Sequence, residues 1–184
     1  ERVSDPFYGR WHLRYVTTPV AVRLTGLSTE KLREWSSRRA LIPADIRPKQ
    51  KGSPAKFTWQ TVLMLRLAVV LRDHFNLELQ AHKPFFAQLR QGLRKRSFIT
   101  LWGQRLVLCP VGWDFIEEGA PLPEGDVLLL ELDPHLHVLR DGFALPDAAA
   151  ARGQLDLFSL PNLRRADQAA TVAEGVGTDR RWSA

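Results

Sequence analysis

One cysteine, Cys109, stands alone among 184 residues, so no internal disulfide can form. That agrees with a reducing cytoplasm, where the protein is expected. Long apolar runs are also missing: Val62–Leu71 and Val127–Leu130 are interrupted or bounded by charge well before the roughly 20 residues a membrane span needs, so no membrane partner is expected. No Gly-rich phosphate loop, nucleophile elbow or metalloprotease pattern occurs. The adjacent carboxylates Glu117-Glu118 sit beside Gly and Pro, a loop signature, and form no acid/base pair without a cleft. The chain is therefore expected not to be an enzyme and to carry no cofactor. Its start, ERVSDPFYGRW, lacks both Met and the charged, apolar and small-residue regions of a signal peptide, and reads as a trimmed or truncated terminus.

What the sequence does have is segregated charge. The net charge of +6 splits into +12 for residues 1–97, with 19 Lys and Arg against 7 Asp and Glu, and −6 for residues 98–184, with 7 against 13. A basic half beside an acidic half is the pattern of a polyanion-binding module joined to something else. The length suits one ordinary domain or two small ones.

Local signals organise the basic half. Thr18-Pro19 opens a helix over about 18–25, with Ala21, Leu24 and Leu27 at spacings of three, and Gly26 stops it. Ser28 caps a second helix running to about Arg38 or Arg39, with Glu30 in its first turn and Leu27, Leu32 and Trp35 facing inward. Two helices across a Gly-containing turn predict a helix-turn-helix, whose second helix shows Thr29, Lys31, Arg33, Ser36 and Ser37 to solvent. From Ile46 to Phe57, strand-like ends flank a turn at Gly52, Ser53 and Pro54, which predicts a two-stranded basic wing. Thr58 caps an apolar helix to about His74, and a further helix from near Pro84 to about Lys95 is expected to expose Arg90, Arg94 and Lys95.

The period then changes. Phe98–Cys109 reads as a hairpin turning at Gly103 and Gln104, while Asp126–Leu132 and His135–Arg140 read as two more strands. The expected organisation is an arm over 1–15, a winged helix-turn-helix over 16–96, a small β-rich interaction or effector unit over 97–160 and a flexible tail over 161–184, in the α+β class. The arm, Phe7–Arg14, is aromatic and basic, and either packs on the winged domain or lies across a partner or a DNA groove.

The series Leu24-Thr25-Gly26-Leu27-Ser28, Leu32-Arg33-x-Trp35, Leu41-Ile42-Pro43, a basic Gly turn and Phe57-Thr58 resembles the DNA-binding domain of MerR-type winged helix-turn-helix regulators, over about residues 16–95. The resemblance implies a second helix in the major groove of double-stranded DNA and a wing on phosphates. Position by position it nominates Thr29, Lys31 and Arg33, then Arg38 and Arg39 at the helix end, and Lys56 at the place of a wing Arg. There are departures. Arg39-Ala40 occupy the place of the Gly that usually ends the second helix, with one residue added, and the wing tip lacks an aromatic. No sustained heptads follow, so a homodimer, if formed, uses another surface. The whole chain is also similar to bacterial antitoxins that join a MerR-like domain to a short β-rich segment; that implies a basic toxin as partner of the acidic half and DNA binding for autoregulation. An accessory or architectural DNA-binding factor would use the same domain without an effector.

The chemistry suits DNA. Arg47, Lys49, Lys51 and Lys56 would each release condensed counterion on meeting a phosphate, adding sequence-blind, salt-sensitive affinity. Arg33 and Lys31 can hydrogen-bond guanine O6 and N7, and Thr29 can touch a thymine methyl. Glu30 is explained by its place at the helix start, and the spacing of Trp35 from Leu32 puts it in the core. His135 and His137 would share a strand face with Asp133, a conceivable cluster for a metal, but without a Cys or a second ligand group an ordinary strand is expected. Cys109, in an apolar strand, is expected to be a buried small residue.

Overall fold

The computed structural model describes residues 15–146 except 49, 51, 52 and 111. Thus the Phe7–Arg14 arm, the wing lysines Lys49 and Lys51, and the expected tail lie outside the described residues.

The chain is α+β. A two-residue strand, β1 (Val16–Thr17), leads directly into α1 (Thr18–Thr25), with Pro19 in the first turn. Gly26, at φ 74, ends α1 in the left-handed conformation and donates its N–H to the Val22 carbonyl at 2.9 Å, which closes the last turn. Ser28 then caps α2 (Thr29–Arg33), its hydroxyl accepting from the Lys31 N–H at 3.1 Å.

After Arg33 the helix widens into a π-helical turn, Glu34–Arg38, in which the Arg39 N–H bonds the Glu34 carbonyl at 2.8 Å. Ala40 takes a left-handed φ of 45 and the Leu41 N–H reaches back to the Trp35 carbonyl at 2.9 Å, a Schellman-type closure made without glycine. The helix thus ends through a π-turn, with the left-handed position that usually takes glycine filled by strained Ala40.

Residues 41–55 return to β2 (Lys56–Phe57), which pairs antiparallel with β1, Val16 facing Phe57 and Thr17 facing Lys56. On its other side Lys56 bridges to Ile46, the two backbones exchanging hydrogen bonds of 3.0 and 3.1 Å. Among the described residues, the expected two-stranded segment shows a single bridge. Its base is pinned by Asp45, whose carboxylate accepts from the Thr58 N–H at 2.7 Å and hydroxyl at 3.1 Å and faces Arg90 at 3.8 Å. Arg90 also donates to the Pro43 carbonyl. It was expected in solvent and is instead largely buried here, because Asp45 and a backbone oxygen satisfy its guanidinium.

Thr58 caps α3 (Trp59–Asp73), which is buried on nearly every side from Thr61 to Ala68 and forms the centre of the core. A 3₁₀ turn, Leu79–His82, precedes α4 (Lys83–Arg94). Residues 99–101 form another 3₁₀ turn rather than a strand, and the first long strand is β3 (Gln104–Cys109). It pairs antiparallel with β4 (Gly112–Glu117) on one side and β5 (Leu128–Glu131) on the other. The hairpin therefore turns after Cys109 rather than at Gly103.

The register aligns Leu106 with Phe115 and Leu130, and Leu108 with Trp113 and Leu128, so one face of the sheet is continuously apolar and packs on the helices. Residues 135–140, expected as a strand, lie in α5 (Asp133–Phe143). Leu132, Leu136, Leu139 and Phe143 are all 0% exposed and recur at spacings of four, three and four, a helical stripe. A Cβ at Gly142 would stand 2.5 Å from a methyl of Leu24, so glycine lets α5 and α1 approach. One apolar cluster runs from Val16 to Leu145 and joins the first four helices to the sheet and α5.

Candidate nucleic-acid interface

Short helices place their polar side chains where their caps and apolar anchors dictate. In α2, Leu32 is fully buried, and in the π-turn Trp35 is 3% exposed with the Arg72 guanidinium 4.9 Å above its ring. Trp35 is thus core, as its spacing predicts. With those two turned inward, Thr29, Arg33, Ser37, Arg38 and Arg39 are exposed and Lys31 is partly so. Ser36 is a correction: expected in solvent, it is 4% exposed, because the widened turn rotates it inward beside Trp35.

The exposed cations fall into two groups. Arg33 and Arg38 hold no hydrogen bond or ion pair among the described residues. Lys31 and Arg39 converge instead on Glu34, at 3.0 and 2.6 Å, one to each carboxylate oxygen. Lys31, then Arg39 and Arg38, hold the Glu34 carboxyl below its ordinary pKa, against the opposing effect of burial. Arg47 and Lys56 are exposed on the returning segment.

Between these elements lies an open cleft of about 730 Å³. It is lined by Thr29, Arg33, Ser37 and Arg38 from α2 and the π-turn, by Pro48, Ser53 and Pro54 from the returning segment, and by the buried Leu32 and Phe57. Thr18 and Pro19, at the N-terminus of α1, also line it. Five of the nominated residues, Thr29, Arg33, Ser36, Ser37 and Arg38, line this one concavity, while Lys31, Arg39, Arg47 and Lys56 do not.

Two residues escaped the sequence reading. Arg23 is exposed in the last turn of α1. Glu34 organises two of the nominated cations, and although its pairing with Lys31 has ordinary helical spacing, its pairing with Arg39 does not.

The other candidates resolve differently. His135 and His137 lie two apart on α5, so they point in different directions; His135 meets Arg66, and His137 stacks edge-on to Trp102 at 4.8 Å. No group of three or more metal-ligating side chains occurs among the described residues. Cys109, expected buried, is partly exposed and its thiol donates to the Gly112 carbonyl at 3.3 Å, because it ends β3 at the hairpin turn. No described helix is long and apolar enough to cross a membrane. No protein-family model and no curated protein matches the chain.

Proposed function

We propose that the chain is a sequence-specific DNA-binding regulator with a MerR-like winged helix-turn-helix, in which α1 and α2 are the two helices and the Ile46–Lys56 segment is a reduced wing. The observation that carries this reading is the 730 Å³ cleft lined both by Arg33 and Arg38, whose guanidinium groups hold no hydrogen bond or ion pair among the described residues, and by Pro48, Ser53 and Pro54 of the returning segment. A concavity walled by a helix with unpaired guanidinium groups suits a phosphodiester strand, with the base edges beyond it. Arg33 reads guanine, Thr29 touches the adjacent base, and Arg38, Arg47 and Lys56 neutralise phosphates.

Selection of bound duplexes from a randomised library tests the reading. The protein enriches a defined motif, and Arg33→Ala loses preference at one guanine position while keeping the others. Enrichment of no motif contradicts it.

A second reading is favoured by the sheet. Asp114, Glu117, Glu118, Glu124, Asp126 and Glu131 are all exposed on or beside β4 and β5, the two outer strands. Such an acidic sheet fits a basic protein partner, as in an antitoxin that autoregulates through the same DNA-binding domain. Copurification of a basic protein from the neighbouring reading frame, lost on charge reversal at Asp114 and Glu117, is the expected outcome.

A further inference from the structure

In an α-helix, residues five apart are about 140° apart around the axis and cannot share a partner. The π-turn removes that separation. With the Arg39 N–H bonded to the Glu34 carbonyl, the two residues stand one above the other, and the Glu34 carboxylate reaches the Arg39 guanidinium at 2.6 Å. From the preceding turn Lys31 reaches the other oxygen at 3.0 Å. Neither cation lines the cleft of Arg33 and Arg38; both line a second, smaller concavity with Trp35, Arg72 and Gln80. Arg72, on α3, is occupied by Asp73 and by the face of Trp35.

We infer that Glu34 is a specificity-determining residue: an internal anion that holds Lys31 and Arg39 away from DNA phosphates, so that sequence-blind affinity is restrained and Arg33 decides where the protein binds. This rests on the DNA-binding reading above. The physical argument is one of competition. A phosphate that recruits Lys31 or Arg39 must displace a carboxylate already in contact, and it must itself approach the negative charge of Glu34. Arg33 meets neither cost, and Arg38, although it feels the Glu34 charge, has no carboxylate in contact to displace. Binding at non-cognate DNA, which depends on phosphate contacts alone, is penalised most; at a cognate site the base contacts of Arg33 remain.

The test uses the full chain with Glu34→Gln, which keeps the shape and removes the charge, and a scrambled duplex titrated across a salt series. Glu34→Gln is expected to bind scrambled DNA roughly tenfold more tightly or better at about 0.1 M salt, with a salt slope steeper by about 0.9 for each cation released. Adding Lys31→Gln and Arg39→Gln to Glu34→Gln should abolish the gain, whereas in the presence of Glu34 the same two changes should alter scrambled-DNA affinity by no more than about twofold. That second comparison stands even if Glu34→Gln fails to fold. Unchanged affinity and slope for Glu34→Gln, in a protein whose binding Arg33→Ala still weakens, overturns the inference and leaves the DNA-binding reading intact. No measurable binding by any variant on any duplex overturns both.

Discussion

The Nε of Arg66 donates to Nδ1 of His135 across 3.2 Å, tying α3 to α5 over 69 positions of sequence. The same guanidinium donates to the carbonyl of Leu24, in the last turn of α1. One side chain thus fastens the first helix and the last described helix to the centre of the core.

This arrangement makes stability sensitive to acid. Burial, and then the charge of Arg66, push the His135 pKa down to about 4. In the unfolded chain the imidazole takes up a proton near pH 6.5. Between these values the unfolded state binds more protons, so stability present above about pH 6.5 is lost as pH falls towards 4. The loss from this group is at most about 3 kcal/mol. His135→Asn, whose amide oxygen can accept from Arg66 without titrating, should show a smaller fall in urea midpoint between neutral and mildly acidic buffer. An equal fall in both proteins would contradict the assignment.

Ala40 offers the opposite case, a stabilising change. Its φ of 45 costs an L-residue about 1 to 2 kcal/mol, and glycine returns part of that gain to the unfolded chain. Ala40→Gly should raise stability by about 0.5 to 1 kcal/mol, read as a higher denaturant midpoint with an unchanged slope.

Asp45 should be among the most sensitive polar positions. Its side chain is 11% exposed and Arg90's is 15%, and it satisfies two Thr58 donors besides. Asp45→Ala leaves the guanidinium and the Thr58 amide without their carboxylate and should cost about 2 to 4 kcal/mol. Because it also unpins the returning segment, the proposed DNA binding predicts a fall in affinity even under conditions where the variant remains folded. A loss of stability below about 0.5 kcal/mol would contradict the network.

The continuous core predicts that the basic half does not stand alone. A fragment ending at residue 96 would expose the core surface that Leu136, Leu139 and Phe143 cover, and its amide spectrum should lack the dispersion of the full chain. Leu139→Ala, at a fully buried site, should cost about 2 to 5 kcal/mol in the intact protein.

The parts of this fold that were legible in sequence are those decided locally. Gly26, Ser28 and Thr58 mark helix ends through their own backbone or side-chain chemistry, and α1 and α3 run almost exactly where those signals put them. The segment 135–140 was misread because His135-Leu-His137-Val alternates like a strand over four residues. The deciding pattern, Leu132 to Phe143, is longer than that window, and Asp133-Pro134 is a helix start. In the candidate site, Thr29, Arg33 and Ser37 followed from helical spacing and Arg38 from the resemblance, whereas the burial of Ser36 and the capture of Arg39 by Glu34 depend on a π-turn that no α-helical period encodes. Arg90 was misplaced for a different reason: its partner Asp45 lies 45 residues away, and only the tertiary fold brings them together.

The most direct test of the account is fluorescence anisotropy of the full chain on labelled DNA from upstream of its own reading frame and on a scrambled duplex, across a salt series, with Arg33→Ala alongside. The account predicts tighter binding to the upstream DNA, a steep salt slope on both duplexes, and a preference that Arg33→Ala largely removes. Equal, weak binding to both duplexes, unaffected by Arg33→Ala, would contradict it.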